Sequence, residues 1–256
     1  MGELDGGKFD GKVSIITGAG QGIGEGYAHA LAREGASVVV ADINDENAAN
    51  VVAAIEAEGG TALAVHVDVS DPDSCIAMAA ATVERFGRID HLVNNAAIYH
   101  SMEINGLLRI DLDYYRKFMD VNMNGAIYAT RAVWRELRKQ EGAAVVNQSS
   151  TAAWMAAGFY GVAKAALNSI TINLAAEMAS MGIRVNAIAP GPTNTEATQL
   201  ISGGEENFGV LLGDVMLKRP GTPEDMANML IFLLSDDSSW ITGQIFAVDG
   251  GQSKRI

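Results

Sequence analysis

Tyr160 and Lys164 stand four residues apart in the run Phe159-Tyr160-Gly161-Val162-Ala163-Lys164. In a helix that spacing puts a phenol and an ammonium on one face. A cation beside a phenol stabilises the phenolate and lowers the tyrosine pKa. An unperturbed tyrosine titrates near ~10, so base catalysis near neutrality needs roughly 3–4 kcal/mol of preferential phenolate stabilisation. The same spacing occurs on ordinary helix surfaces, so the pair gains meaning only from the rest of the chain.

A second group is the run Thr17-Gly18-Ala19-Gly20-Gln21-Gly22-Ile23-Gly24, directly after the β-branched stretch Val13–Thr17. Glycines there allow a tight turn and close approach of backbone to a pyrophosphate. The helix that follows offers unpaired N–H groups and a positive dipole end to the anion. Eighteen residues after Gly24 comes Asp42, followed by Ile43. An acid at that place accepts hydrogen bonds from the adenosine ribose and repels the 2′-phosphate of NADP. No Arg or Lys in the glycine run or directly after Asp42 offsets that repulsion, so NAD is the expected cofactor. The alternative for Asp42 is a loop carboxylate or a helix cap, since Asn44 and Asp45 follow.

These groups need a scaffold. Short apolar runs at 13–17, 37–42, 62–69, 91–95, 143–149, 184–189 and 244–248 read as strands, most of them nearly continuous in apolar residues, as buried parallel strands are. Alanine-rich stretches at 22–34, 46–58, 72–86, 112–139, 160–181 and 223–234 read as helices. The alternation predicts one α/β domain over 1–256, doubly wound, with a core at 12–251. Residues 192–219 are the least regular. They read as a substrate-side lid, or else as a surface excursion with a short helix around 208–212.

The net charge of −13 repels nucleic acid and anionic lipid, so neither is an expected partner. No apolar run reaches membrane-spanning length. The start Met1-Gly2-Glu3-Leu4-Asp5 lacks signal-peptide character, and Cys75 is the only cysteine, which together suggest the cytoplasm. His29, His66, His91 and His100 show no ligand spacing, so no metal is expected. His100 reads as a surface residue, with a place in the site wall as the alternative.

Further motifs follow in order: Asp68-Val69, Asn94-Asn95-Ala96-Ala97, Val121-Asn122, Asn147-Gln148-Ser149-Ser150, Pro190-Gly191 and Ile241-Thr242-Gly243-Gln244. With the glycine run and the Tyr160/Lys164 pair, they make the chain resemble a compact short-chain dehydrogenase/reductase from Lys12 to Gly251. The resemblance implies a Rossmann-like, seven-stranded parallel sheet, a nicotinamide dinucleotide and a homotetramer. It implies a catalytic tetrad of Asn122, Ser150, Tyr160 and Lys164. Gly18, Gly20, Gln21, Gly22, Ile23 and Gly24 would cradle the pyrophosphate, and Asp42 and Ile43 the ribose. Asp68 and Val69 would meet the adenine. Asn95, Ala96 and Ala97 would border the cofactor, and Pro190, Gly191, Thr193 and Thr195 the nicotinamide. Two departures stand out. Ser150 lies ten residues before Tyr160, where thirteen is commoner, and Ala97 replaces a common glycine. Between Ser149 and Ser150, the family pattern favours the second of the pair.

The implied mechanism has Tyr160 taking a proton from a secondary hydroxyl while hydride passes to the nicotinamide. Ser150 steadies the substrate oxygen, Lys164 lowers the Tyr160 pKa and holds the ribose, and Asn122 places a relay water. The substrate pocket draws on 98–102, 151–159 and 192–219, with Trp154, Phe159, Phe208, Leu211 and Leu212 giving it an apolar character. Simple secondary alcohols, cyclic diols, dihydrodiols, steroids and hydroxyacyl compounds all fit. Two rivals remain: a ketoreductase for acyl groups on a carrier protein, and a nucleotide-sensing protein without catalysis. The acidic surface and Asp42 speak against the first, and an intact Tyr/Lys pair against the second.

Overall fold

The computed structural model describes residues 7–103, 105–202, 209 and 212–254. Seven strands form one parallel sheet: β1 (Val13–Thr17), β2 (Ser37–Asp42), β3 (Thr61–His66), β4 (His91–Asn94), β5 (Ala144–Gln148), β6 (Arg184–Pro190) and β7 (Ile245–Val248). Their order is β3-β2-β1-β4-β5-β6-β7. Every residue of β1, β4, β5 and β6 is buried, which explains why these strands lack polar alternation. The edge strand β3 buries only Ala62. Polar residues inside the central strands are paired. Asn94 Nδ2 donates to Asn147 Oδ1 at 2.8 Å, and His91 Nδ1 meets Ser14 Oγ at 2.9 Å. Burial pushes His91 down to about 3, so it sits in the core as a neutral ring.

Helices cover both faces. On one, α1 (Gly22–Arg33), α2 (Asp45–Ala57) and α8 (Pro223–Leu234) bury Tyr27, Leu31, Val51, Ile55, Leu230 and Leu233. On the other, α3 (Pro72–Phe86), α5 (Gly125–Leu137) and α6 (Gly158–Met178) bury Met78, Val133, Leu137 and Met178. The start of α8 is fixed by a reciprocal cap, in which Thr222 and Asp225 each accept the other's backbone N–H. Its far end is closed from β6: the Arg184 guanidinium donates to the carbonyls of Leu233, Leu234 and Ser235.

The expected helix at 112–139 is three pieces. A π turn, Asp120–Asn124, separates α4 (Leu112–Met119) from α5. Apolar periodicity runs through it unbroken, and no proline marks it, so the sequence pattern hides it. Its consequence is local: it turns Asn122 into the interior. The third expected strand also stops early, at His66 rather than residue 69. Asp68 Oδ1 accepts Ser70 N–H at 2.9 Å, turning the chain toward α3. The strand order reverses between β1 and β4, and the crevice at their carboxyl ends is where α/β sheets bind ligands.

Candidate active site

The glycine turn fills the first part of that crevice. Gly18 and Gly22 have φ of 63°, a conformation glycine adopts freely. A Cβ on Gly18 would lie 2.7 Å from Ala96 Cα, and one on Gly24 would lie 2.2 Å from the Gly18 carbonyl oxygen. Thr17 and Asn95 lock the turn to β4. Thr17 Oγ1 accepts the N–H groups of Asn95 and Ala96, both at 3.1 Å. Asn95 Nδ2 donates to the carbonyls of Thr17 and Gly18 at 3.0 and 2.8 Å. Gln21 is the N-cap of α1 without a side-chain cap bond, so the first N–H groups of this helix are suited to an anion.

Asp42 ends β2 beside this turn. Its Oδ2 accepts Gly20 N–H at 2.8 Å, and its Oδ1 accepts Asn44 N–H at 2.9 Å. The cap of α2 is Asn44, which accepts Asn47 N–H, so the helix-cap alternative for Asp42 is excluded. Ile43 is exposed. Val69 is buried and packs where a Cβ on Gly125 would lie, 2.8 Å from its Cγ2, while the Asp68 carboxylate holds its own turn. Ala97 is exposed, Ala96 is half-buried, and Pro190 is buried at the end of β6. Gly191 passes so close to Asp249 that a Cβ would lie 2.7 Å from its Cα. Thr193 Oγ1 donates to the Gly191 carbonyl, and Thr195 Oγ1 meets Thr198 Oγ1 at 2.9 Å at the start of α7 (Glu196–Ser202).

Four residues converge on the other side of the crevice. Tyr160 and Lys164 lie on α6, one turn apart. Lys164 is 2% exposed. Its Nζ donates to the Gln148 carbonyl at 2.9 Å and stands 5.8 Å from the Tyr160 ring centroid. Burial lowers its pKa to about 8. Burial also pushes Tyr160 above its ordinary value, Tyr99 adds to that, and a hydrogen bond from Ser150 opposes it. The expected fall of the Tyr160 pKa under Lys164 is therefore not what governs the free chain: desolvation dominates, and the ammonium is spent on a carbonyl rather than on the phenol.

The neighbouring serines face different ways. Ser149 Oγ donates to Asn168 Oδ1 at 2.5 Å, on the inner side of α6. Ser150 caps the short 3₁₀ turn Thr151–Trp154 and lies close enough to Tyr160 for its hydroxyl to hold the phenol pKa down. Asn122 is 2% exposed. Its Nδ2 donates to the Phe118 carbonyl, and its Oδ1 has no partner among the described residues. A buried acceptor without a partner costs free energy. Asn122, Lys164, Thr17 and Asn94 line one small polar cavity, which suits a bridging water.

Tyr99 and Thr198 were not singled out in the sequence. The Tyr99 ring lies 5.4 Å from that of Tyr160, and Thr198 on α7 stands near its hydroxyl and opposes the rise in its pKa that burial causes. Only the folded chain brings 99, 160 and 198 together. Phe159, expected in the pocket, is 3% exposed and packs edge-on to Phe118 at 4.6 Å, so it belongs to the core. His100 is exposed. Leu212 and Trp154 are half-buried. Phe208 and Leu211 lie outside the described residues, as does most of the helix expected near them. Among the described residues no cluster of His, Cys, Asp or Glu could hold a metal.

A family model described as Enoyl-(Acyl carrier protein) reductase matches residues 18–253. An uncharacterised oxidoreductase of Mycobacterium tuberculosis is 58% identical over 246 residues, covering 95% of this chain and 98% of its own. A cyclohexanol dehydrogenase of Acinetobacter sp. (strain SE19) is 37% identical over 251 residues, 97% of each chain. The crystal structure of levodione reductase matches with a TM-score of 0.90 at 32% identity, covering 95% of this chain and 98% of that one. A glycine turn at the switch point, a buried Tyr/Lys helix and relatives matched over nearly their whole length agree: the chain belongs to the short-chain dehydrogenase/reductase family and is an oxidoreductase acting on CH–OH groups.

Proposed function

We propose that the chain is an NAD-dependent dehydrogenase that interconverts a secondary alcohol and its ketone, with Tyr160 as the acid/base group. The observation that carries this reading is the meeting of the Tyr160 phenol with the Ser150 hydroxyl, one helical turn from a buried Lys164. A glycine turn that a Cβ would obstruct and an orphaned Asn122 Oδ1 fit a dinucleotide and a proton path beside it. The dinucleotide, when bound, supplies the hydride acceptor or donor.

The side chains do the rest. Ser150 donates a hydrogen bond to the substrate oxygen and steadies its charge. Tyr160 exchanges a proton with the same oxygen. In the free chain burial keeps the phenol protonated, which is the form that donates to a ketone. Oxidation requires the Lys164 ammonium to offset that burial. Asn122 Oδ1 then accepts from the water that carries the proton onward.

The choice of NAD rests on Asp42, whose charge faces the glycine turn with no cation in residues 17–24 or 43–46. The Tyr99 ring, 5.4 Å from that of Tyr160, gives the site an aromatic wall that favours a cyclic apolar alcohol, and the named cyclohexanol dehydrogenase relative supports that class. The segment 192–219 acts as the lid. We place the protein in the cytoplasm as a homotetramer. No helix among the described residues is long and apolar enough to cross a membrane, and Trp240 is 99% exposed just before β7, a sheet edge suited to a partner.

The test is reduction of NAD across secondary alcohols, cyclic diols, dihydrodiols, hydroxysteroids and 3-hydroxyacyl thioesters. Turnover of an alcohol with NAD is expected. Turnover of thioesters alone would move the chain to the carrier-protein reductases, and no turnover with bound NAD would favour a nucleotide sensor. Light scattering that gave a monomer mass at micromolar concentration would remove the tetramer.

A further inference from the structure

Lys164 is held by a carbonyl, and that carbonyl is held from the opposite face of the sheet. Side chains alternate along β5 and into the turn after it. Asn147 reaches Thr171 and Ser149 reaches Asn168, both on α6. Gln148, between them, reaches the other way. Its Oε1 accepts the Tyr27 hydroxyl at 2.7 Å, and Tyr27 is a fully buried residue of α1. The peptide that follows Gln148 is gripped at both ends: its oxygen accepts Lys164 Nζ at 2.9 Å, and its N–H, from Ser149, donates to the Ile188 carbonyl on β6 at 2.7 Å. Gln148 is 7% exposed and Tyr27 is 0% exposed.

We propose that Tyr27 and Gln148 are positioning residues, a hydrogen-bonded strut through the sheet that aims the Gln148 carbonyl at Lys164 and so ties α1, the helix of the glycine turn, to the lysine that serves Tyr160. This rests on the reading of Lys164 given above. A phenol and an amide are costly to bury in the apolar cluster under α1 and α8, and packing alone would be served as well by Phe and Met. The polar pair gains a fixed rotation of the residue whose carbonyl takes the ammonium. Lys164 depends on that carbonyl, because none of the residues lining its cavity is a carboxylate and the Tyr160 ring on its own helix stands 5.8 Å from Nζ. Ser150, two residues on, stands beside the same phenol, so a rotation at 148 moves both neighbours of Tyr160 together.

The test uses full-length Tyr27→Phe and the double variant Tyr27→Phe/Gln148→Met. Tyr27→Phe strands a buried acceptor and should lower stability, whereas replacing both partners by apolar groups should restore it. The strut requires that rate not return with stability. In both variants kcat/KM for alcohol oxidation should fall about 3- to 10-fold, one hydrogen bond's worth. The acid limb of its pH profile should move to higher pH, because a poorly held ammonium stabilises the phenolate less. Lys164 itself, followed by NMR in lysine-labelled protein without substrate, should titrate lower than in the wild type. A double variant with wild-type rate and pH profile would reduce the pair to packing and overturn the proposal. So would an unmoved Lys164 titration. Because that titration needs no turnover, it separates failure of the strut from failure of the dehydrogenase reading, which inactivity of the wild type on every alcohol would signal.

Discussion

Gly20 N–H donates to Asp42 Oδ2 at 2.8 Å, so the carboxylate that ends β2 also pins the turn that opens α1. Charge and hydrogen bond can be separated by two substitutions. Wild-type kcat/KM should favour NAD over NADP. Asp42→Asn should narrow that preference by removing repulsion while keeping an acceptor for Gly20. Asp42→Ala should narrow it too and also raise KM for NAD, because the turn loses its tether. Neither should bind NADP tightly, since no cation is added. Wild-type efficiency equal or higher with NADP would refute the assignment.

Ser149 and Ser150 offer a cleaner separation than adjacent residues usually do. The Ser149 hydroxyl is spent inward on Asn168, whereas Ser150 meets Tyr160. Ser150→Ala should lower kcat by about 10²-fold, the scale of losing one donor to a developing oxyanion, with little change in NAD affinity. Ser149→Ala should act mainly on stability, by about 1 kcal/mol for a buried hydrogen bond. Steady-state kinetics and urea midpoints on both variants decide it, and a larger kcat loss at 149 would shift the catalytic serine by one residue.

What could be read from the sequence follows from where structure is local. Val13–Thr17 and Ser37–Asp42 match their apolar runs residue for residue, because buried strands next to glycine turns have sharp ends. Pro72–Phe86 and Pro223–Leu234 also match, since Asp71 and Thr222 cap them and proline opens them. The π turn at Asp120–Asn124 left no trace, as no proline marks it and helix-forming residues continue on both sides. The site shows the same divide. The motif residues of the glycine turn and of α6 were legible one by one. Tyr99 against Thr198, and Tyr27 against Gln148, depend on the packing of distant segments, and no spacing announces them.

Tyr160→Phe removes one oxygen from a half-buried ring whose aromatic neighbours, Tyr99 and Phe118, stay in place. Fold and NAD binding should be retained. Turnover should fall ~10²–10⁴-fold, the usual cost of losing a general acid or base. Stopped-flow measurement on a substrate whose chemical step is rate-limiting is the check, and wild-type turnover there would end the proposed mechanism.

Lys164 gives a prediction in which activity and stability part company. Its ordinary pKa is 10.5, and burial lowers it to about 8 in the folded chain. The folded state therefore binds its proton less tightly than the unfolded state does. Below about pH 8 the side chain is charged in both states, and the protein bears the full cost of burying an ammonium. As pH rises from about 8 to 10.5 the folded lysine is neutral while the unfolded one still holds its proton, and the cost disappears. Lys164→Met removes the titration. Its stability relative to wild type should then be greatest near neutrality and fall by ~3 kcal/mol as pH rises through that window. Turnover should be lost at every pH, because no ammonium remains beside Tyr160. Urea unfolding of both proteins at pH 7 and at about pH 10 measures the difference, with 10.5 as the upper end of the window. A stability difference that stayed constant with pH would mean that Lys164 does not carry a buried charge in the free chain, and the account of a site poised by desolvation would go with it.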